Sequence, residues 1–287
     1  MNRMMYLIKS WFRASHHSML EDALQHAQRV EQAHEWGRVV WHVWRQGTAS
    51  KPPLVLLHGG SGSWTHWVRN VQHLALRYEV WALDIPGFGD SSLPPQARDA
   101  DDLVTTLGEI LCTTFGDQAV PVMGFSFGGM LAGLLAATQP QCISKLILVG
   151  APGLGLTHKP LNMRGLLPEM NKSQRRAVYR HNLRALMLAH DASINDEVLD
   201  LQQANVMRDR LRRRRISSTN VLAKAQSAWQ CPVHGVWGEG DVLYQGTLQQ
   251  IPDVLHRLDS FNVVPDAGHW VMFERSEAFH AVIDALL

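Results

Sequence analysis

Short apolar runs of strand length alternate along this chain with segments that have the periodicity of a helix. Such alternation is typical of a mostly parallel sheet with helices on both of its faces. The run at 54–57 is apolar at every position, as expected of a strand buried on both faces. The other predicted strands are 38–44, which would open the sheet, and 78–83, 119–123, 145–149, 232–237 and 261–264. A closing helix is predicted over 273–287, and the fold class is therefore α/β.

The alternation stops between 153 and 227, where no run resembles a strand. Helical periodicity predicts two or three helices there, two of them over about 172–190 and 195–214. We interpret 153–227 as a helical cap, which is inserted between two strands and lies over the carboxyl ends of the sheet. The core of the fold would then consist of 36–152 and 228–287.

Residues 1–35 precede the predicted core and are expected to form an N-terminal helical arm. Helical spacing gives this arm one apolar side, with cations opposite. The apolar residues are Met4, Leu7, Ile8, Trp11 and Phe12, and the cations are Arg3, Lys9 and Arg13. Lys9 interrupts the apolar run that a secretory signal requires. An interfacial membrane helix or a partner-binding arm is one interpretation, but we favour a helix docked on the domain or, in a homodimer, on a second copy.

The charge balance limits the partners that this chain is expected to bind. The chain carries 27 Lys and Arg against 26 Asp and Glu, so its net charge is +1. A domain that binds nucleic acid usually carries a clear positive excess. Four consecutive arginines, 212–215, lie inside the predicted cap and could bind an anionic substrate or nucleic acid. Because no aromatic residues interleave with them, we favour a solvated face paired to nearby acids.

Three cysteines, Cys112, Cys142 and Cys231, are widely spaced and form no C-x-x-C pair. This pattern argues against a disulfide framework and a zinc site, and it is typical of a reducing compartment. No apolar run approaches the roughly 18 residues of a membrane-spanning helix. The expectation is a cytoplasmic protein with no transmembrane segment, no bound metal and no nucleic-acid partner.

A Gly-Phe-Ser-Phe-Gly sequence at 124–128 directly follows a predicted strand and leads into a helical segment. A serine at such a strand-to-helix turn must adopt a strained backbone, and the flanking glycines let neighbouring chain pass without a Cβ clash. Its hydroxyl would be exposed at the carboxyl edge of the sheet, where the helix N-terminus favours negative charge. Ser126 is therefore the predicted nucleophile.

A serine hydroxyl becomes a nucleophile only with a base and an orienting carboxylate, and in this architecture the acid precedes the histidine. His269 lies in the loop after the last predicted strand. Asp241 ends the loop after the preceding strand, and Glu239 is its near rival. Asp266 shares the loop of the histidine and is too near in sequence to face the ring. The loop at 150–153 offers no acid, so Asp241 is the predicted partner.

Attack on a carbonyl also requires N–H donors for the negative oxygen, and the loss of one donor typically costs about 3 kcal/mol of barrier. The N–H of Phe127, which follows the nucleophile, is the first predicted donor of this oxyanion hole. The second is the N–H of Gly60, in the glycine-rich turn 58–63. This turn lacks a G-K-[ST] ending, so it does not predict nucleotide binding. His58 is expected to be a buried, hydrogen-bonded histidine.

Five segments, in this order, give the chain a resemblance to the α/β-hydrolase superfamily. They are His-Gly-Gly at 58–60, Asp-Ile-Pro-Gly-Phe-Gly-Asp-Ser at 84–91, Gly-Phe-Ser-Phe-Gly-Gly at 124–129, Trp-Gly-Glu-Gly-Asp at 237–241 and Gly-His-Trp at 268–270. The resemblance implies an eight-stranded, mostly parallel sheet flanked by helices, a cap domain and a Ser-His-Asp triad. It also implies a structural role for Asp84 at the end of a strand.

Within this superfamily, Trp64, the segment 67–70 and Trp270 are similar to those of the meta-cleavage-product hydrolases, which split carbon–carbon bonds. That group carries Asn before its nucleophile and a longer oxyanion turn, whereas this chain has Phe125 and a shorter turn. Epoxide hydrolases and haloalkane dehalogenases of this fold carry Asp at the position of Ser126. The predicted function is therefore hydrolysis of a small carboxylic ester through an acyl-enzyme, without a cofactor.

Two alternative functions stay open. One is carbon–carbon hydrolysis of a ring-fission product, and the other is a non-catalytic ligand-binding protein on the same fold. Three tryptophans near predicted strand ends, Trp64, Trp67 and Trp270, indicate an apolar acyl or aryl pocket. Trp270 is the predicted substrate-binding residue among them.

Overall fold

An eight-stranded sheet forms the centre of the computed structural model, which describes residues 18–156, 160–211 and 213–287. The strands are β1 (Ala27–His34), β2 (Gly37–Trp44), β3 (Pro53–Leu57), β4 (Glu79–Asp84), β5 (Val120–Phe125), β6 (Ile143–Val149), β7 (Val233–Gly238) and β8 (Ser260–Val264). Their order across the sheet is β1-β2-β4-β3-β5-β6-β7-β8. β3 to β8 run parallel, whereas β2 is antiparallel to both of its neighbours. The predicted α/β class with a mostly parallel sheet is confirmed.

Helices cover both faces of this sheet. In the described part of the chain they are α1 (Met19–Leu24), α2 (Val71–Leu74), α3 (Asp102–Phe115), α4 (Phe127–Thr138), α5 (Lys172–Asn182), α6 (Asp196–Met207), α7 (Val221–Ala225), α8 (Ile251–Val254), α9 (Val271–Glu274) and α10 (Ser276–Leu286). Val55 and Leu57 of β3 pack in one hydrophobic cluster with α3 and α4, whereas Leu54 and Leu56 pack in a second cluster with α2 and α10. This alternation explains why β3 is apolar at every position: successive residues face opposite sides, and both sides are buried.

The sheet opens with β1 rather than with the strand predicted at 38–44, which is β2. β1 pairs antiparallel with β2 along its whole length. It lies within 1–35, the segment predicted as a helical arm, and in the described part of that segment only α1 is helical. All side chains of β1 are exposed or half-buried, as is usual at a sheet edge, and no apolar run predicts this strand. The apolar stripe predicted over 4–12 lies outside the described residues.

The chain between β6 and β7 contains α5, α6 and α7 and, in its described residues, no strand. The two helices predicted there over 172–190 and 195–214 end earlier than expected. α5 stops at Asn182 and continues as a π-helical turn over Leu183–Met187, and α6 stops at Met207. After α6 the chain runs over the loop that follows β4, where the Arg210 N–H donates to Gly87 O at 2.8 Å. This path carries the arginine run toward the carboxyl end of the sheet.

None of the described helices combines the length and the apolar character that crossing a bilayer requires. In the same residues, no three His, Cys, Asp or Glu side chains lie in a group that could hold a metal ion. Cys112, Cys142 and Cys231 are free thiols.

Candidate active site

Ser126 occupies the turn between β5 and α4. Its φ is positive (50°, with ψ −118°), and its N–H donates to Val149 O at 2.7 Å. Close contacts require the glycines on either side. A Cβ on Gly124 would lie 2.5 Å from Gly128 O, and a Cβ on Gly128 would lie 2.4 Å from His58 O. The turn is therefore strained in the way that the motif predicts, and it holds the hydroxyl at the N-terminus of α4.

Asp241 and His269 reach Ser126 from the loops that follow β7 and β8. His269 Nε2 lies 2.9 Å from Ser126 Oγ, and His269 Nδ1 lies 2.8 Å from Asp241 Oδ2. Asp241 and His269 are only 1% and 2% exposed. The other carboxylate oxygen of Asp241 accepts the N–H of Leu243 at 3.0 Å, which holds the carboxylate in place. The structure thus brings the three predicted side chains into one hydrogen-bonded line.

The two alternative carboxylates, Glu239 and Asp266, make other contacts at the surface of the protein. Glu239 is exposed and accepts the N–H of Asp266 at 3.2 Å. The carboxylate of Asp266, also exposed, forms an ion pair with Arg275. Asp241 is therefore the carboxylate that occupies the Nδ1 side of His269.

This arrangement is able to make a serine hydroxyl nucleophilic. When His269 Nδ1–H donates to Asp241, the neutral ring keeps a lone pair on Nε2, which can accept the proton of Ser126. The buried carboxylate then stabilises the imidazolium that forms as the proton moves. The three groups can therefore carry out nucleophilic attack on a carbonyl carbon.

The glycine-rich turn after β3 lies beside the serine. The N–H of Gly59 donates to His66 Nδ1 at 3.1 Å. Burial holds the pKa of His66 well below its usual 6.5, so the ring is neutral and can accept this hydrogen bond. Gly60 and Phe127, the predicted oxyanion donors, line the same cavity as Ser126.

Two buried polar residues fix the loops at this edge of the sheet. His58 Nδ1 donates to the neighbouring carbonyl at 2.7 Å, and its Nε2 accepts the N–H of Ile85 at 3.0 Å. Burial lowers the pKa of His58 to about 3, so it is neutral. Asp84 accepts the N–H groups of Trp64 and Asp90, both at 2.9 Å, and burial raises its pKa to about 6. Both residues therefore hold loop backbone, as expected for them.

A cavity of about 450 Å³ opens over Ser126 and His269. This volume suits a small-molecule ligand. Much of the wall is apolar and is formed by Leu154, Leu156, Leu161, Met163, Leu186 and Met187. A second cavity of about 260 Å³ also reaches His269, and Leu186 lines both. Leu186 belongs to the π-helical turn after α5, so the predicted cap contributes directly to the wall.

The structure does not bring Trp270 to this cavity. Trp270 is fully buried, its indole N–H donates to His66 O at 2.8 Å, and its ring stacks on Phe273 with the centroids 4.2 Å apart. Trp64 and Trp67 are buried as well. These tryptophans pack the core, and leucine and methionine side chains supply the apolar wall instead.

Arg214 lines the cavity, although the sequence favoured a solvated face for the arginine run. Its guanidinium forms an ion pair with Asp209. The same group lies over the rings of Phe88 and Phe127, with Cζ 5.1 and 5.6 Å from their centroids. The side chain is only 25% exposed, so it belongs to the wall of the site.

The neighbouring arginine behaves as the sequence predicts. Arg215 is 75% exposed and forms an ion pair with Asp99 at 2.6 Å, whereas Arg212 lies outside the described residues. No pattern within the run distinguishes Arg214 from Arg215. The difference depends on where α6 ends and on which loop the following chain contacts.

Glu274 links the predicted cap to the loop of His269, and sequence reasoning missed it. Its buried carboxylate accepts the N–H groups of Gly268 at 2.7 Å, Ala189 at 2.9 Å and His190 at 2.8 Å. A signal was present in the sequence: Glu274 ends the apolar Val-Met-Phe-Glu sequence of α9. A carboxylate in an apolar segment is buried only when it is paired or hydrogen-bonded.

Comparison with known proteins gives one family match and several relatives. A family model described as the alpha/beta hydrolase fold matches residues 52–276. The chain is similar to epoxide hydrolase 4 of Mus musculus, with 32% identity over 114 residues that cover 39% of this chain and 32% of that protein. It spans less than two thirds of the length of the first curated relatives that it matches.

Two further proteins match over most of the chain. A 2-hydroxy-6-oxononadienedioate/2-hydroxy-6-oxononatrienedioate hydrolase of Paraburkholderia phymatum is 27% identical over 262 residues, which cover 82% of this chain and 86% of that protein. The structure of carboxylesterase CesB from Bacillus subtilis superimposes with a TM-score of 0.73 at 16% identity, covering 93% of this chain and 95% of that one. At such low identity, this structural likeness is one of fold.

Proposed function

This chain belongs to the α/β-hydrolase family, and from that premise we propose that it is a serine hydrolase, which cleaves a carboxylic ester through an acyl-enzyme. The observation that carries the proposal is the 2.9 Å distance between Ser126 Oγ and His269 Nε2, with Asp241 Oδ2 2.8 Å from the other ring nitrogen. The cavity above these groups supports it further, because its volume suits a small ester.

In the acylation step, His269 Nε2 takes the proton of Ser126 while Oγ attacks the ester carbonyl carbon. The carbonyl oxygen becomes an oxyanion, to which the N–H groups of Gly60 and Phe127 donate. The C–O bond to the alcohol then breaks, and the alcohol leaves with the proton from His269. Asp241 holds the ring in the reactive tautomer and stabilises the imidazolium.

In the deacylation step, His269 takes a proton from water, and the oxygen of that water attacks the acyl carbon. The bond to Ser126 Oγ breaks, Oγ recovers its proton from the imidazolium, and the carboxylic acid leaves. One ester bond is cleaved and one water molecule is consumed. Side chains and backbone N–H groups supply every group that these steps use.

The segment 153–227 acts in this proposal as a cap that shapes the substrate pocket. Leu186 and Met187 of its π-helical turn line the cavity. The backbone N–H of Trp270 donates to Met187 O at 2.7 Å, which connects the π-helical turn to the residue next to His269. The buried Trp270 therefore has a positioning role in this proposal and does not contact the substrate.

Carbon–carbon hydrolysis is the second candidate function. The 27% identical hydrolase of Paraburkholderia phymatum favours it, because that match covers 86% of that protein. The two functions are separated by comparing a simple aryl ester with a vinylogous 1,5-diketone acid at matched concentration. We expect faster turnover of the ester. A rate on the diketone that exceeds the ester rate by orders of magnitude would replace the esterase proposal with the second candidate.

The substitution Ser126→Ala tests the proposed nucleophile. We expect kcat for phenyl hexanoate to fall by roughly 10⁴- to 10⁶-fold, since removal of the nucleophile abolishes the acyl-enzyme route. Ser227→Ala, at an exposed serine that does not line the cavity, is the matched control and should keep the wild-type rate. Binding of the ester together with equal, negligible rates for the wild type and Ser126→Ala would instead favour a ligand-binding protein.

A further inference from the structure

Arg214 gives the cavity an uneven charge distribution. Among the described residues that line it, Arg214 and His269 are the only ones with an ionisable basic side chain, and none of them is Asp or Glu. Asp209, which pairs with Arg214, lies outside this lining. The cavity therefore presents the guanidinium, and not its partner carboxylate, to a bound ligand.

The guanidinium is held in a fixed orientation. Asp209 Oδ2 accepts from its Nη2 and also from the hydroxyl of Ser61 at 2.6 Å. The rings of Phe88 and Phe127 lie under Cζ at distances typical of cation–π contacts. Because these contacts fix the planar group in advance, a ligand that binds to it loses little further side-chain entropy.

One donor of this guanidinium is left without a partner. Arg214 Nε is buried from solvent and makes no hydrogen bond. It lies against Gly60, since a Cβ built on that glycine would be 3.6 Å from Nε. An unsatisfied buried donor is unfavourable, and more so on a charged group. Because Nε has no exposed surface, a ligand carboxylate would approach the guanidinium through the quarter of the side chain that is exposed, beside the proposed oxyanion donor.

The cavity hydroxyls, in contrast, already have acceptors for their protons. Ser217 and Thr219 donate to the carbonyls of Arg214 and Ile216 at 2.7 and 2.6 Å. The hydroxyl of Tyr244 donates to a backbone carbonyl too. Arg214 is therefore the strongest unfilled donor on the described wall of the cavity outside the oxyanion turn.

We propose that Arg214 binds a carboxylate of the substrate, so that the enzyme selects esters that carry an additional anionic group. This inference rests on the proposed ester hydrolysis and names its substrate class. A guanidinium matches a carboxylate in shape and charge, and such charge-assisted hydrogen bonds are about twice as strong as neutral ones. The leucine and methionine side chains of the cavity would contact the apolar segment between the carboxylate and the ester.

Two matched pairs of esters test this selection. Monophenyl adipate and phenyl hexanoate differ by a carboxylate on the acyl side, and 4-acetoxybenzoate and its methyl ester differ by one on the alcohol side. In Arg214→Gln we expect kcat/KM for the anionic member of at least one pair to fall about 10- to 100-fold, as for loss of a charged hydrogen bond. The neutral member should stay within about threefold.

Arg215→Gln is the control for general loss of positive charge. Its side chain is exposed, pairs with Asp99 and does not line the cavity, so the ratio of anionic to neutral turnover should not change. Arg214→Gln leaves Asp209 without its partner and could unfold the chain. The double variant Asp209→Asn/Arg214→Gln removes both charges and should lose the same selectivity with a Tm near that of the wild type.

The two proposals fail in different ways. If Arg214→Gln lowers both members of each pair equally, or neither, while Ser126→Ala abolishes turnover, anion selection is wrong and ester hydrolysis stands. If the wild type turns over no ester faster than Ser126→Ala, ester hydrolysis is wrong. Calorimetry with adipate and 4-hydroxybenzoate still tests Arg214 in that case. A Kd at least tenfold weaker in Arg214→Gln for either acid supports anion binding, and equal Kd values or no binding by the wild type would overturn it.

Discussion

Ser126 owes its position to the backbone around it rather than to its own side chain. A residue other than glycine with a strained positive φ costs about 1–3 kcal/mol, and it persists only when its surroundings enforce it. Here the Ser126 N–H donates a hydrogen bond to Val149 O. Two residues later, the backbone at Gly128 lies so close to the carbonyl oxygen of His58 that only a glycine fits. The hydroxyl is therefore held by the backbone within 2.9 Å of His269 Nε2.

The identity of the acid is tested at the same scale. In Asp241→Asn we expect kcat for phenyl hexanoate to fall about 10⁴-fold, because an amide at this position favours the wrong tautomer of His269. Glu239→Gln is the matched control and should keep the rate, since that carboxylate lies at the surface. The opposite result, with Glu239→Gln inactive and Asp241→Asn active, would contradict the assignment.

At the scale of elements, the site depends on strand direction. β3, β5, β7 and β8 are parallel, so the loops that follow them meet at one edge of the sheet. These loops carry Gly60, Ser126, Asp241 and His269 respectively. Residues more than 200 positions apart along the chain therefore become neighbours without any long excursion of the loops.

Glu274 joins the segment 153–227, the predicted cap, to the loop of His269. Its carboxylate accepts three backbone N–H groups that come from both segments. In Glu274→Gln the amide brings N–H donors toward those N–H groups, so we expect a loss of about 2–3 kcal/mol in the free energy of unfolding. We also expect a lower kcat, because the backbone next to His269 is no longer held.

Glu277→Gln is the control for this prediction, since Glu277 lies three residues further along the chain, in α10, and is exposed. Urea denaturation measures the stability of both variants, and hydrogen exchange at Gly268 and Ala189 measures the local effect. Faster exchange in Glu274→Gln alone is expected. Unchanged exchange and an unchanged kcat would show that the carboxylate does not couple the two segments.

At the scale of the whole molecule, folding keeps several histidines neutral. Burial lowers the pKa of His42 to about 4 and that of His58 to about 3. Below pH 6.5 the unfolded chain binds protons at these positions that the folded chain does not bind, so the free energy of unfolding falls as the pH falls. Burial raises the pKa of Asp84 to about 6, which has the opposite sign and offsets about one histidine between pH 6 and 4.

A variant at His42 tests this dependence on pH. Each such histidine contributes about 1.2 kcal/mol between pH 6 and 5, close to the limit of one full proton. In His42→Gln we therefore expect the free energy of unfolding, measured in urea, to fall less steeply by about that amount per pH unit. Between pH 7.5 and 8.5 the two proteins should differ by a constant. Identical slopes between pH 6 and 5 would contradict the buried, neutral state of His42.

Sequence alone was sufficient for the elements whose signal is local. The predicted strands at 54–57 and 145–149 lie within β3 and β6. Their buried positions 54–57 and 146–149 are all apolar, because both faces of such a strand are covered. The α/β class follows from their alternation with helices. Ser126, Asp241 and His269 could be nominated from their positions after predicted strands, because parallel strands bring such loops to one edge.

Features that depend on distant contacts could not be read in this way. β1 is a polar edge strand, which is recognisable only through its pairing with β2. Trp270 packs against His66, and Arg214 lines the cavity. The residue types of Trp270 and Arg214 do not determine these positions, which depend on where the neighbouring segments end. Periodicity and motif order are local properties, which can be recognised in the sequence alone. The direction of a single side chain is set by the segments that fold against it.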